Sequence, residues 1–530
     1  MCSTRRWIRG WRTNRNGRTE ARRTWDRRRA GLASLATLLA LAWLPLRPPV
    51  PLAAQSPLAR LLNRRLDAAP LDRFLWGIAV VDDRGRLLYG RNADRLFAPA
   101  STAKLFVSAV AAARLPPDGT VRTSVYAAGP VTDGVVRGDL VLYGRGDPTM
   151  DRRCYGLDTT LAFACTTDPA APLRRLADTL RAIGIRAVAG DLVGDGSWLE
   201  PRLVHPAWEG YDLNWWYAAP VSGLAFNDNS VDIAWSPGPV GEPARISFTP
   251  ALGDVTLANR TVVIPGDTGA TLDFFRDPGT DRIRAEGRVP QGGGSGTEYF
   301  ALPDPNLYAA WAFGAALAGA GITVRGTTRS TTDSSAYHAA RATAPLAEVE
   351  SRPFRDWIFP ILNSSQNWFA EMLLKQLGRR FGGEGSWARG LAVERRFLID
   401  SVRLDSTRFA LVDGSGLASS NAVSPLALVG VLLFAHRHPA MEPLLSALPR
   451  SGARGSLRNR FLGTSIEGRV TAKPGGITGV NGLAGYLDLA GGRRVTFAIL
   501  VNHHTLANRM MVAAIDSLVG DIARGLERPR

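Results

Sequence analysis

Two hydrophobic alternations at opposite ends of the chain constrain its fold most. Near the front, "WGIAVVDDRGRLLYGRN" (residues 76–92) carries two apolar runs around Asp83-Arg84-Gly85, the pattern of a β-hairpin, and the apolar run "STAKLFVSAVAAARL" follows with helical character. Near the back, "SIEGRVTAKPGG", "GLAGYLDLAGG" and "RRVTFAILVNHH" read as strands, and a last helix is predicted near "RMMVAAIDSLVGDIARGL". Strands and a helix at each end predict one sheet assembled from both ends of the chain. Whatever lies between must then be an insertion.

The intervening texture fits that reading. From residue 117 to about 335, short β-branched runs are broken by Gly, Pro, Asp and Asn, with helical patterns at "PLRRLADTLRAIGI" and "NLYAAWAFGAALAGAGI". This predicts one or two inserted β-rich modules. Helical periodicity returns in "FRDWIFPILNSSQNWFAEMLLKQLGRRF", "SWARGLAVERRFLIDS" and "SPLALVGVLLFAHRHPAMEPLLSAL". The expected division is a split domain over 55–116 and 336–530, interrupted by 117–335. A chain of 530 residues with 45% hydrophobic content can bury the cores this requires.

Residues 1–54 read as an export signal. Twelve arginines stand against Glu20 and Asp26, then "GLASLATLLALAWLPL" supplies an apolar stretch, and small residues precede Gln55. A cleaved signal and a periplasmic destination are expected. About sixteen apolar residues are short for a full membrane span, although they leave room for a loose membrane association. "TRRWIR" is a weak twin-arginine pattern, so the export route stays open. The net charge of +17 comes largely from this segment, since the remainder carries 52 basic and 45 acidic residues. No basic helix with interleaved aromatics points to a nucleic-acid partner. Cys154 and Cys165 are spaced so that a disulfide is allowed but not required. Six scattered histidines, "HRH" at 436–438 and His503-His504 among them, form no metal-ligand spacing, so neither metal nor cofactor is expected.

Only three of the 64 basic side chains are lysines: Lys104, Lys375 and Lys473. A guanidinium stays charged at any working pH, whereas an amine can lose its proton, so lysines that persist in an arginine-rich chain are candidates for acid/base roles. Lys104 stands three residues after Ser101, one helical turn away, where it can take the proton of a serine nucleophile if its environment favours the neutral amine. An N-cap role for Ser101 is the competing reading. Farther on, Ser365-Gln366-Asn367 opens a helical run, and Lys473-Pro474-Gly475 ends a strand. Together these match, in order, the S-x-x-K, S-x-N and K-T-G elements of penicillin-binding proteins and class A β-lactamases.

The chain resembles the D-alanyl-D-alanine carboxypeptidase/DD-endopeptidase family, the class C low-molecular-mass penicillin-binding proteins. The resemblance is carried by "LLYGRNADRLFAPASTAKLFVSA", "LVLYGRGDPTM", "GDLVGDGSWLE", "YAAPVSGLAFNDNSVDI", "SQNWFAEMLLKQLG", "VDGSGLASSNAVSP", "LPRSGARGSLRNRF" and "KPGGITGVNGLAGYLD", and it runs from about residue 76 to 520. It implies an α+β fold: a β-lactamase-like three-layer αβα domain around a central antiparallel sheet, with inserted β-rich domains. It also implies a serine hydrolase of peptidoglycan stem peptides or cross-links that β-lactams acylate. Ser101 becomes the nucleophile, Lys104 its general base, and Ser365 and Asn367 the proton relay and amide-binding pair. Lys473 supplies positive potential. Gly475, Gly476 and Thr478 bind substrate, with the Ser101 N–H and one just beyond Gly475 as oxyanion hole. Lys375 also sits at a familiar family position, with a structural or surface role expected.

One departure matters. The family usually has Thr or Ser after the third-motif lysine, and Pro474 removes both that hydroxyl and an N–H. A charge-assisted bond of about 1.5–3 kcal/mol to the substrate carboxylate goes with it. Thr471 or Thr478 are the nearest replacements in sequence. Pro474 keeps alive a weakly active, peptidoglycan-binding homologue as the alternative, beside a serine β-lactamase or esterase on the same fold. The glutamine in S-Q-N is expected to matter less, and Asp413–Gly416 and "GRGDPTM" are expected to be structural turns.

Overall fold

The computed structural model describes residues 56–527 apart from 152–167, 252–254, 278–279, 281 and 343. The export segment and the Cys154/Cys165 pair lie outside the described residues. Five strands form the predicted sheet: β1 (Leu75–Val81) and β2 (Leu87–Arg91) from the front, and β3 (Val470–Ile477), β4 (Val480–Asp488) and β5 (Arg494–Asn502) from the back. Their order is β2-β1-β5-β4-β3, antiparallel throughout. The two ends of the chain meet in the β1–β5 ladder, from Leu75 opposite Asn502 to Val81 opposite Thr496.

Helices cover both faces: α1 (Pro57–Leu66), α2 (Lys104–Arg114), α3 (Phe354–Asn363), α4 (Asn367–Gly382), α5 (Trp387–Asp400), α6 (Pro425–Arg437) and α7 (Asn508–Glu527). The period of two along each strand sorts side chains between the layers. Ile78, Val80, Phe497 and Ile499 pack against Leu62 of α1 and Ile515 of α7. Ala79, Val81, Ala498 and Leu500 face the opposite core, filled by α2 to α6. Both faces being covered explains why β4 and β5 read as near-continuous apolar runs. Burying each large aliphatic side chain contributes about 1.5–3 kcal/mol relative to exposure.

The intervening chain forms its own sheets. The largest has the order Thr328–Thr331, Leu192–Asp195, Asp139–Gly144, Arg122–Ala128, Ala347–Glu350, and it encloses a second core with helices Ala171–Ala182 and Pro305–Gly319; its last strand lies past the expected boundary at 335, because Ala347–Glu350 pair with Arg122–Val125 of the inserted sheet. Yet Leu199, Trp208, Ala218 and Val221 leave that core and pack with α2 to α6. Ser56–Arg530 accordingly form one compact unit, and the insertion is tied to the domain it interrupts. No described helix is long and apolar enough to cross a membrane.

Candidate active site

Ser101 lies in the 3₁₀ turn Ala100–Ala103 that runs straight into α2. The turn is closed by Pro99 O, which accepts from the Thr102 N–H at 3.3 Å and from Thr102 Oγ1 at 2.8 Å. Ala100 is held at φ 47°, a left-handed conformation that costs a residue with a Cβ about 1–3 kcal/mol. Gly416 braces it from outside, since a Cβ there would stand 2.0 Å from Ala100 O. The N-cap reading of Ser101 does not hold: the cap position of α2 is Ala103, and no side chain caps it. The hydroxyl is engaged instead with Lys104.

Lys104 is fully buried, and its Nζ makes three contacts: Ser101 Oγ at 2.8 Å, Asn367 Oδ1 at 2.6 Å and Ser415 O at 2.8 Å. The Asn367 amide is fixed from its other end, with Nδ2 donating to Tyr217 O at 2.9 Å, so its oxygen faces the amine. A neutral amine has two N–H bonds and one lone pair. With its N–H bonds directed at Asn367 and Ser415, the lone pair faces Ser101. Burial lowers the Lys104 ammonium from 10.5 to about 7, with Asp413 and Glu371 opposing the fall.

Lys473 forms a second lysine–serine pair. Lys473 Nζ donates to Ser365 Oγ at 2.8 Å and to Pro474 O at 2.8 Å, and it too is fully buried. Burial, and then the charge of Lys104, push it well below the usual lysine range. Ser365 has φ 64°, which turns the chain sharply between α3 and α4. Gln366 matters more than its sequence position suggested. Its Oε1 accepts from the Trp368 N–H at 2.9 Å, capping α4, and its Nε2 donates to Asp228 at 3.3 Å.

Strand β3 lies at the sheet edge, where a proline is tolerated. Gly475 faces the nucleophile: a Cβ there would come within 3.0 Å of the Ser101 amide nitrogen. Thr478 and Gly479 form the two-residue turn joining β3 to β4. Ser101, Ser365, Asn367, Gly476 and Thr478 line one cavity of about 600 Å³, and Glu209 and Asp212 give another wall of it negative charge. His503 lines the same cavity, whereas His504 is buried against Asn481 at 2.7 Å. A smaller cavity of about 280 Å³ shares Ser101, Ser365 and Gly476 and is bounded by Pro474, Arg460 and Asn508. Neither 474 nor 476 supplies a hydroxyl. All five residues expected to carry chemistry therefore converge, with Gly475, Gly476 and Thr478 beside them. No His, Cys, Asp and Glu cluster suited to a metal occurs among the described residues.

Lys375 is not a surface residue. Its buried Nζ donates to Arg202 O at 2.9 Å and Val221 O at 3.3 Å, and lies 3.4 Å from Glu200 and 3.5 Å from the centre of a Trp387 ring. It holds the segment that carries Tyr217. The sequence reading missed Glu371, Ser415 and Tyr217. The last two act through backbone carbonyls, which any residue has. Glu371 did leave a signal, because Asn367, Glu371 and Lys375 recur every four residues along a helix that is otherwise mostly apolar.

Comparison with known proteins agrees with this geometry. The family model for D-Ala-D-Ala carboxypeptidase 3 (S13) matches residues 58–521. The chain is 31% identical over 503 residues to a D-alanyl-D-alanine carboxypeptidase of Actinomadura sp. (strain R39), covering 90% of this chain and 89% of that protein. It is 27% identical to carboxypeptidase DacB of Mycolicibacterium smegmatis, with coverages of 89% and 86%. The fold matches penicillin binding protein 4 (dacB) of Haemophilus influenzae with a TM-score of 0.74 at 21% identity, over 87% of this chain and 98% of that one. A match over most of its length, together with the relative at 31% identity, means that this chain belongs to the D-Ala-D-Ala carboxypeptidase 3 (S13) family of serine hydrolases.

Proposed function

We propose that this protein removes the terminal D-alanine of peptidoglycan stem peptides through an acyl-enzyme on Ser101. The observation that carries the reading is the buried Lys104 amine, held 2.8 Å from Ser101 Oγ with its other contacts made to two fixed oxygens. Lys104 takes the Ser101 proton as Oγ attacks the carbonyl of the D-Ala-D-Ala bond. The oxyanion that forms is stabilised by the Ser101 N–H and a second N–H just beyond Gly475, where the absent side chain leaves room. The C–N bond then breaks, and the leaving amine of D-alanine takes the proton that Lys104 had accepted, relayed by Ser365, which Lys473 supports at 2.8 Å, so that Lys104 is neutral again. Water attacks the acyl-enzyme, giving a proton to the neutral Lys104; the bond from the acyl carbon to Ser101 Oγ breaks, Lys104 returns the proton to Oγ, and the shortened peptide is released. Lys473 serves the site through its contact with Ser365, and Thr478 lines the cavity as the nearest hydroxyl-bearing residue to take the place of the one Pro474 lacks. β-Lactams acylate Ser101 by the same route. The arginine-rich start and apolar run direct the chain to the periplasm, where its substrate lies, and a loose membrane association is compatible with that location.

Labelling the full chain with fluorescent penicillin, beside Ser101→Ala, tests the nucleophile. Wild type is expected to label stably and the variant not at all, whereas equal labelling of both removes Ser101 from this role. Rapid loss of label supports the β-lactamase alternative. Digestion of purified muropeptides separates release of D-alanine from cleavage of cross-links, and no product in either assay supports a binding protein weakened by Pro474.

A further inference from the structure

Along one side of α4, Asn367, Glu371 and Lys375 recur at intervals of four residues, and all three are buried. Asn367 reaches Lys104 and Lys375 holds the 202–221 segment. Glu371 has no contact with the reacting groups, yet it is among the most fully engaged carboxylates in the domain. Its Oε1 accepts from the Ser415 N–H at 2.7 Å, and its Oε2 from the Gly414 N–H at 3.0 Å and Trp387 Nε1 at 2.8 Å. All three partners are N–H donors, a set complementary to the ionised carboxylate. The loop gripped in this way is the one whose Ser415 carbonyl receives Lys104 Nζ.

Asp413 finishes the same loop from inside. It accepts from the Gly416 N–H at 2.8 Å, the Ala418 N–H at 2.7 Å, Asn421 Nδ2 at 2.8 Å and Trp208 Nε1 at 3.0 Å. Gly414 packs directly on α4, since a Cβ there would stand 2.9 Å from Ala370 O. The tight turn at 413–416 is thus a strap between α4 and the nucleophile turn, with Gly416 pressed on Ala100.

We propose that Glu371 is a positioning residue for acylation: by gripping the Gly414 and Ser415 amides it aims the Ser415 carbonyl at Lys104. The inference rests on Lys104 being the base of Ser101. The charged and titratable groups around the pair come from each packed element. Facing Lys104 are Asp413 of the strap, Glu371 of α4 and Lys473 of β3. Around Glu371 are Asp413, Glu394 of α5 and Lys375 of α4. Burial first, then Asp413, raise Glu371 to about 7 against the pull of its three N–H donors, and burial raises Glu394 well above the usual carboxylate range.

The chain holds only three lysines, so selective ¹³Cε-lysine labelling of the full chain gives three signals, assigned with Lys104→Arg and Lys473→Arg. In Glu371→Gln the Lys104 signal is expected to titrate about one pH unit lower than in wild type, because a charge that favours the ammonium is gone. Penicillin acylation is expected to slow by about 10–100-fold, the effect of a lost charge-assisted contact. Glu371→Asp keeps the charge but withdraws it by one methylene, so Lys104 should titrate near its wild-type pH while acylation still slows about tenfold. A folded Glu371→Gln with unchanged titration and rate overturns the proposal. If circular dichroism shows Glu371→Gln unfolded, Glu371→Asp decides: acylation at the wild-type rate overturns it. Failure of the underlying assignment looks different, because wild-type acylation would then not follow the Lys104 titration at all.

Discussion

Gln366, the middle residue of the second motif, donates through Nε2 to the Asp228 carboxylate at 3.3 Å, linking the start of α4 to the inserted chain. Asp228 belongs to three consecutive left-handed residues, Asn227, Asp228 and Asn229, at φ 50°, 54° and 53°. Each costs about 1–3 kcal/mol in isolation, and side-chain bonds hold the turn: Asn227 Nδ2 donates to Ser230 O at 2.8 Å and Asn229 Nδ2 to Pro220 O at 2.8 Å. Pro220 O also accepts from Trp368 Nε1 at 3.0 Å, so the turn and α4 share an anchor. A neutral amide at 366 suits a carboxylate neighbour, and a carboxylate at 366 would face like charge.

Gln366→Glu is therefore expected to lower acylation efficiency about tenfold and to destabilise the fold by about 1–3 kcal/mol. Gln366→Glu combined with Asp228→Asn restores a donor–acceptor pair and should recover part of both losses. A double-mutant cycle with penicillin labelling and thermal melts reads the coupling. Strictly additive effects would show that the two side chains do not act together.

Lys104→Arg keeps the positive charge and removes the capacity to lose a proton. Acylation is expected to fall by about 10²–10⁴-fold, the usual contribution of a positioned base, while the larger side chain strains a fully buried site. The pH dependence follows from the same group. Burial lowers Lys104 to about 7, and the reactive form is neutral, so the rate should rise with pH up to about 7 and level off above it. Labelling rates across pH 5–9 check this, and a rate still climbing at pH 9 would place the base elsewhere.

Lys375→Met tests the other end of the α4 stripe. The substitution leaves the Arg202 and Val221 carbonyls without the donor they now share, at about 1–3 kcal/mol for each buried acceptor. The melting temperature should drop clearly, whereas Lys104 and Ser101 keep their own contacts and acylation at a temperature well below the melt should fall little. Loss of acylation at full stability would give Lys375 a role beyond holding the 202–221 segment.

How much of this the sequence disclosed depends on what each residue contributes. The period of two in β1 and β5 and the order of the three motifs were legible, because side-chain type itself carries that information. Ser101, Lys104, Ser365, Asn367 and Lys473 were found that way, as was the pairing of chain ends. The strap at 413–416 was readable as a turn, but not that it presents the Ser415 carbonyl to Lys104, since a carbonyl has no signature in composition. Asp228 escaped for a different reason. Its partner Gln366 is 138 positions away, and the inserted chain reaches the motif where Leu199, Trp208, Ala218 and Val221 pack into the helical core.

Pro474→Thr asks how the pocket holds a carboxylate. Position 474 is on the edge strand β3, opposite Leu483 of β4, and lines the smaller cavity beside Ser101. Threonine restores a hydroxyl and an N–H in an extended strand that accepts β-branched residues readily. If the missing hydroxyl limits substrate binding, the variant should gain about ten- to a hundredfold in acylation efficiency, corresponding to about 1.5–3 kcal/mol for a charge-assisted bond. Thr478→Val is the complementary change, because Thr478 carries a hydroxyl and lines the larger cavity at the tip of the β3–β4 turn. A loss in Thr478→Val that Pro474→Thr repairs would show the two hydroxyls to be interchangeable. No gain in Pro474→Thr, with Thr478→Val strongly impaired, would instead show that the carboxylate contact has moved from the strand to the turn.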